Sequence, residues 1–532
     1  MRRVFGFEAL QPRVFRAVHA AARPEPIPSA MRQTKPAQAS RTAPFALAGR
    51  HVYMVGIGGC GMSGLARMLR SRGAIVAGSD SAPGEATAAL TAEGVPVSFE
   101  QSSGRVPDPC DLVIASAAIR PEHPELLEAQ RRGVEIATYA EALGRCMAGR
   151  TGVALAGTHG KSTTTAMLGA ALTDAGLDPT VIVGATCSQL SGGCLSPPGR
   201  SVGFRLGSQT IPCGPLAGGP GLLLAEACEF NRSFHNLRPN IASISSVEAD
   251  HLDIYGSLDA VVQAFAEFAR LLPPADQGGL LLIADEGAHR RQVAAGLKCR
   301  VETIGFSPAA DWVVWLDTPT RQVTLTRRGS EVASWRASLP GAHNAMNAAT
   351  ACALAVSLGA DAAHVAESLA AFRGVDRRTQ FLGERAVPGG TVRVYDDYGH
   401  HPTEIDATLR ALRDFERPQD RGGRLVCVFQ PHQHSRTRFL LEEFAAAFGQ
   451  ADAVIVPHIY FVRDSEIEKQ KVSSADLVDR LRKRGVRAMH LYPFEAIVEQ
   501  LENLCRAGDT LVVMGAGPVW QVAHGYLGLA GA

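Results

Sequence analysis

The chain lacks any uninterrupted apolar run of the roughly 18 residues that a membrane helix needs, so no spanning segment is expected. It shows no basic n-region leading into an apolar h-region, so no secretory leader is expected. It lacks paired cysteines. Its 11 are an odd number, none in C-x-x-C spacing, and Cys187 and Cys194 have no matching second pair. Reduced thiols of a cytoplasmic protein are therefore expected, rather than disulfides or a zinc site. Net charge is also nearly absent, at +1. That balance hides an asymmetry: residues 1–50 carry nine Arg or Lys against two Glu, +7, which leaves −6 for the rest. A mildly acidic body argues against a general nucleic-acid grip. Anionic ligands must then be held by local devices such as glycine loops, helix N-termini and single cations.

At about 150 residues per domain, 532 residues suggest three or four domains, and an apolar fraction of 46% lets each bury a core. Residues 1–48 are rich in Arg, Ala and Pro without periodicity and read as a disordered basic tail, with Met31 a candidate internal start. From His51 onward short apolar runs alternate with helical stretches. The runs are His51–Ile57, Leu112–Ala115, Val153–Ala156, Leu222–Ala225, Ile241–Ile244, Val392–Tyr395, Leu425–Phe429 and Thr510–Met514. This alternation predicts an α/β chain with parallel sheets and ligand loops at the strand C-termini. Turns at Gly149–Thr151 and Leu339–Gly341 suggest domains 49–149, 150–340 and 341–532, and residues 188–220, rich in Gly, Ser and Pro, read as an irregular loop.

Two glycine loops follow strands. The first, Gly56-Ile57-Gly58-Gly59-Cys60-Gly61, fits G-x-G-x-x-G ahead of a helix, with Asp80 at the end of the next strand. Glycines let a pyrophosphate approach the backbone, and both a dinucleotide and a UDP-sugar offer one. The second, Gly157-Thr158-His159-Gly160-Lys161-Ser162-Thr163, is a phosphate loop for ATP with Mg²⁺. Its backbone cradles phosphates, Lys161 reaches the β/γ oxygens, and the Ser162 hydroxyl can hold Mg²⁺. Leu155 stands where the commoner loop begins with glycine, so this loop is shorter.

Acids follow at strand ends. Glu226 closes Leu222–Ala225, where an acid faces a phosphate loop and can hold Mg²⁺. Glu248-Ala249-Asp250-His251-Leu252-Asp253 follows Ile241–Ile244, a set suited to metal or proton chemistry. Further on, Gly341–Asn347 opens a helix, and Arg377-Arg378, Asp396–Pro402 and Gln430–Arg438 bring histidines, acids and arginines to one rim. Such a rim suits an anion and an amine.

Together these motifs resemble the bacterial Mur ligases from about His51 to Tyr526, on GIGGCGMSGLA (56–66), GTHGKSTTT (157–165), EADHLD (248–253), DDYGHHPTE (396–404) and QPHQHSRTR (430–438). Within the family, the first and fourth are similar to the branch that joins L-alanine to UDP-N-acetylmuramate. The resemblance implies three domains: a Rossmann-like N-terminal UDP-sugar domain, a central P-loop ATPase and a Rossmann-like C-terminal domain. It implies that ATP phosphorylates the lactyl carboxylate and that the amine attacks the acyl phosphate. Lys161, Glu226 and His251 are the implied catalytic set, with Ser162, Glu226 and His251 on Mg²⁺. Asn344, Asn347, Arg378 and Asp397 are implied nucleotide contacts beside the phosphate loop. His400, His432 and Arg436 are implied to form the alanine pocket. Gly56, Gly58, Gly59, Gly61, Met62, Ser63, Asp80 and Ser116 are implied to hold the UDP-sugar. Four positions depart from the pattern: Ser162 replaces Thr, Cys228 an Asp, Ser246 an Asn, and Gln433 an Arg found in some relatives. A ligase for another acceptor, and a nucleotide-binding regulator with a dead core, remain as alternatives. A weak homodimer is also left open; no nucleic-acid or membrane partner is expected.

Overall fold

The computed structural model describes residues 45–196, 199–462 and 464–529. The expected basic tail thus lies outside the described residues except for its last four. There Phe45 and Leu47 are buried in the first core, and the Arg145 guanidinium sits 3.6 Å from the centre of the Phe45 ring. Those four residues belong to the packed body rather than to a tail.

Three sheets follow one another along the chain. The first has five parallel strands in the order Val97–Ser98, Ile75–Ser79, His51–Val55, Leu112–Ala115, Glu135–Thr138. Its strand order reverses beside His51–Val55, where ligands bind open α/β sheets, and that point puts the first glycine turn next to Ser116. The Ser116 N–H donates to the Val55 carbonyl at 3.0 Å.

The second sheet has ten strands. At its centre Thr151–Ala156 lies between Ile241–Ile244 and Leu222–Glu226, all parallel. Central parallel strands are covered on both faces, which is why they read as unbroken apolar runs. Both ends of the sheet are antiparallel: Thr180–Cys187 with Val202–Arg205, and Trp312–Asp317, Gln322–Arg327 and Ser330–Arg336. The segment expected to be irregular throughout, 188–220, therefore contains an edge strand and a helical turn at Ser188–Ser191.

The third sheet has six strands, Gln380–Val387, Gly390–Asp397, Thr510–Met514, Leu425–Phe429, Ala453–Val456 and Ala488–His490, parallel after the first pair. The turn at Leu339–Gly341 does not mark where packing changes. Helix Ala342–Ser357 buries its apolar face, and Asn344 and Asn347 with it, against the helix after the phosphate loop and in the second sheet's core. The second body therefore continues through Ala362–Ala370. Among the described residues, no helix is long and apolar enough to cross a membrane.

Candidate active site

The strand order of the second sheet builds the site. The C-terminal ends of Leu222–Glu226, Thr151–Ala156 and Ile241–Ile244 are neighbours, so the strand-end acid, the phosphate loop and the Glu248–Asp253 segment meet. The loop is pinned from the side of the third strand. The Thr158 N–H donates to the Ser246 carbonyl (3.0 Å), the His159 N–H to Ser246 Oγ (3.1 Å), and the Glu248 N–H to Thr158 Oγ1 (2.9 Å). Ser245 Oγ donates to the His159 carbonyl. Ser246, in the place of a usual Asn, thus still anchors the loop. Gly160 caps helix Lys161–Asp174 at φ +80°, and a Cβ there would stand 2.4 Å from Asn347 Oδ1. Only glycine fits that left-handed, crowded position.

The charges on the loop are matched by acids. Lys161 Nζ donates to the Gly157 carbonyl (2.7 Å) and the Thr158 carbonyl (3.1 Å), and pairs with Glu229 at 3.0 Å. Burial opposes the ammonium, but Glu229 together with Glu226 and the other groups beside it more than offsets that and holds the lysine charged. Ser162 Oγ lies 3.0 Å from each oxygen of Glu226, which also accepts the Gly184 N–H at 2.8 Å. His251 sits in the left-handed region at φ +53°, with Nε2 3.7 Å from Asp250 Oδ2. Glu229, Asp250 and His251 bring ligand atoms within 4.8 Å of one another. Two carboxylates and an imidazole converging in this way form a donor set that could hold a divalent cation; Ser162 and Glu226 line the same cleft but lie outside that cluster.

These groups line a cleft of about 670 Å³ that all three bodies enclose. The third body contributes Arg378, His400, His432 and Arg436. Arg436 Nη2 donates to Asp250 Oδ1 at 2.9 Å, and its Nη1 lies 3.4 Å from His432 Nδ1. Burial lowers His400 to about 4, so it is neutral at pH 7. Gln433, in place of an Arg found in some relatives, caps the helix carrying Arg436 at φ +71°.

Two further cavities open on the cleft. A recess of about 230 Å³ holds His159, Gly160, Thr163, Asn344, Asn347 and Asp397, and shares Arg378 and Glu404 with the cleft. Asn347 Oδ1 accepts from Thr164 Oγ1 (3.3 Å), and Asn344 Nδ2 donates to the Pro340 carbonyl (2.9 Å). Asp397 is turned onto its own loop: it accepts the Thr379 and Gly399 N–H groups, each at 2.6 Å. A groove of about 390 Å³ runs past Gly58, Ser63, Arg67 and Arg200, and meets the cleft at Cys60 and Thr186.

Not every candidate in the first body faces this groove. Gly56, Gly59, Gly61, Asp80 and Ser116 do not line it and instead shape the turn. Asp80 Oδ2 accepts the Gly58 N–H at 2.7 Å, and a Cβ on Gly58 would stand 2.8 Å from that oxygen. The Met62 side chain is buried in the first core, because the helix that starts at Cys60 turns it inward, so it offers a ligand backbone only.

Three family models match in chain order: the Mur ligase family catalytic domain over 51–151, the Mur ligase middle domain over 155–355, and the Mur ligase glutamate ligase domain over 377–517. The UDP-N-acetylmuramate–L-alanine ligase of Agathobacter rectalis is 36% identical over 482 residues, 90% of this chain and 97% of its own. The chain belongs to the Mur ligase family. The enzyme of the same name from Kineococcus radiotolerans is 40% identical over 484 residues, covering 90% of this chain and 96% of its own. The crystal structure of the UDP-N-acetylmuramate–alanine ligase of Thermotoga maritima superposes with a TM-score of 0.70 at 27% identity, over 90% of this chain and 98% of that one.

In this Mur ligase the sequence reading gave no role to Glu229 or Glu404 and no partner to Glu248, three acids that the fold uses. Glu229 pairs with Lys161. Glu404 and Glu248 grip His159 from opposite bodies, Glu404 Oε1 at 3.1 Å from Nδ1 and Glu248 Oε2 at 3.4 Å from Nε2. Thr403 Oγ1 donates to Glu248 at 2.8 Å across the same boundary. Burial opposes the imidazolium, yet the two carboxylates raise His159 to about 9. Three residues other than glycine that line the cleft take a left-handed backbone, His251, Arg377 and Gln433, as does Thr379 in the adjoining recess. Such positions cost on the order of 1–3 kcal/mol each and gather at functional sites.

Proposed function

We propose that this Mur ligase joins L-alanine to the lactyl carboxylate of UDP-N-acetylmuramate, with ATP cleaved to ADP and phosphate. The observation that carries this reading is the convergence of a groove and a recess on one cleft that also holds Arg436. The groove beside the glycine turn suits a pyrophosphate-linked sugar, the recess at Asn344 and Asn347 suits a nucleotide base, and the Arg436 side suits an amino acid. The cleft where they meet is lined by Lys161, Ser162 and Glu226; the groove reaches it at Cys60 and Thr186 and the recess at Arg378 and Glu404. The sequence similarity to the two alanine ligases supports the substrate pair.

A carboxylate is a poor electrophile because its charge repels a nucleophile and oxide cannot leave. Transfer of the terminal phosphoryl group of ATP to the lactyl oxygen replaces oxide by phosphate. The acceptor's ammonium first gives up one proton; the resulting amine attacks the carbonyl carbon, and the tetrahedral adduct expels phosphate and loses a second proton to give the amide. In this reading the loop N–H groups and Lys161 stabilise charge on the phosphoryl oxygens, the lysine leaving Glu229 to do so. Ser162, Glu226 and His251 would hold Mg²⁺, which when bound supplies further neutralisation of that charge. Holding amine and acyl phosphate together removes roughly 7–11 kcal/mol of entropic barrier. The groups that enclose the cleft from the third body, with the His159–Glu404 contact behind them, would exclude water from the acyl phosphate. We place the reaction in the cytoplasm, where ATP and reduced thiols are found, and all 11 cysteines are free.

The test is ADP release with UDP-N-acetylmuramate and single amino acids. Turnover should require both UDP-N-acetylmuramate and L-alanine. Turnover that needs another acceptor, or nucleotide binding with no turnover on any acceptor, would sink the proposal.

A further inference from the structure

Asp250 stands beside His251 in the Glu229–Asp250–His251 group but is not among the three residues assigned to Mg²⁺, and its strongest contact is with Arg436 of the third body. It projects from the loop after Ile241–Ile244, and Arg436 from the helix after Leu425–Phe429, so the pair spans two bodies. Their side chains are only 12% and 9% exposed. Asp250 also accepts the His251 N–H at 2.7 Å. Both residues line the main cleft and a further recess of about 40 Å³, room for two or three water-sized groups.

We propose that Asp250 anchors the ammonium group of the incoming amino acid, and that the Asp250–Arg436 pair is the element that selects a zwitterion. This deepens the proposed function and rests on it. A buried ion pair tolerates separation only if neither charge is left alone. An α-amino acid meets that condition, because its carboxylate faces Arg436 while its ammonium faces Asp250, and the charges still alternate. A hydroxy acid would take Arg436 and strand Asp250. A simple amine would take Asp250 and strand Arg436. Rejection by an unpaired buried charge discriminates more sharply than a lost contact does. Neutral His400 beside the pair adds no competing cation.

The experiment is steady-state kinetics of Asp250→Asn at saturating ATP and UDP-N-acetylmuramate. Loss of one charge-assisted contact should raise KM for L-alanine by about 10- to 100-fold. The other two KM values and the half-saturating Mg²⁺ concentration should stay within about twofold. Asp250→Glu, which keeps the charge, should recover part of the loss. L-lactate, with hydroxyl in place of ammonium, should compete far more weakly than L-alanine binds in the unaltered enzyme, and that gap should narrow at least tenfold in Asp250→Asn. A fall in kcat at unchanged KM for L-alanine, a joint shift of all three KM values, a changed Mg²⁺ requirement or an unaltered lactate gap would overturn the proposal. Failure of the parent reading would show separately, as an unaltered enzyme with no L-alanine-dependent turnover.

Discussion

Two glycine loops open the first two sheets, and their surroundings differ. Gly56–Gly61 follows His51–Val55 and leads into the helix Cys60–Ser71; Gly157–Ser162 follows Thr151–Ala156 and leads into Lys161–Asp174. Both offer backbone N–H groups at a helix N-terminus, the basic requirement for a phosphate. The first carries no cation, and its one nearby acid is occupied, since Asp80 accepts the N–H groups of Gly58 and Ser81. The second carries His159 and Lys161, faced by Glu226, Glu229, Glu248 and Glu404. Binding a pyrophosphate asks only for donors. Moving a phosphoryl group also asks for charge that can follow it.

The widest separation between the loops is expected from Lys161→Ala. Removing a stabiliser of phosphoryl charge should lower kcat by about 10³-fold or more, while KM for the UDP-sugar stays within about threefold. Near-normal turnover in that variant would show that the second loop only binds.

The next contrast is electrostatic. The second loop meets the third body through His159 between Glu248 and Glu404, whereas the first meets the second body through the Cys60 thiol and the Val183 carbonyl, 3.4 Å apart. His159 is raised to about 9 from an ordinary value near 6.5, a shift worth on the order of 3 kcal/mol. A raised imidazolium contributes stability that is complete below about pH 6.5 and is lost as the pH climbs through about 9. The thermal midpoint of the unaltered protein should exceed that of His159→Gln most at pH 6, and the gap should close by pH 10. A gap that stays flat with pH would show that the ring packs without charge.

How much of this was legible follows from where each signal resides. Leu112–Ala115, Ile241–Ile244, Leu425–Phe429 and Thr510–Met514 appear at their expected limits, because strands buried on both faces leave continuous apolar runs. Val202–Arg205 and the antiparallel strands from Trp312 to Arg336 were not legible. They lie at the two ends of the ten-stranded sheet and carry mixed side chains, so their pairing depends on a neighbour. Helix Ala342–Ser357 was assigned to the wrong body because Pro340–Gly341 marks a change of direction and says nothing of packing. In the site, the phosphate loop and Glu226 are local patterns. Glu229 and Glu404 lie 68 and 245 residues from the cations they hold, and an isolated acid in sequence carries no sign of such a partner.

A smaller effect sharpens the role of the first loop. A Cβ on Gly58 would stand 2.8 Å both from Asp80 Oδ2 and from Thr87 Cγ2. Gly58→Ala should therefore displace the turn and raise KM for UDP-N-acetylmuramate about tenfold, one misplaced backbone contact, with kcat within about twofold. A kcat loss comparable to that of Lys161→Ala would erase the distinction between a binding loop and a catalytic one.

The smallest expected effect bears on the hydroxyls, which the two loops share. Ser63 Oγ donates to the carbonyl of Cys60 in its own helix, 3.0 Å away, while Ser162 Oγ faces both oxygens of Glu226. The first closes a local turn and the second points at a carboxylate that a cation could join. Ser162→Thr keeps the hydroxyl and adds one methyl at a helix start, a cost of a few tenths of a kcal/mol, so kcat should stay within about threefold. Ser162→Ala removes the hydroxyl and should raise the half-saturating Mg²⁺ concentration at least about tenfold. Ser63→Ala should leave that concentration unchanged. If the alanine and threonine variants at 162 behave alike, the hydroxyl is no ligand and the two serines are equivalent helix-start residues; if only Ala responds to Mg²⁺, the chemistry of the second loop begins at that oxygen.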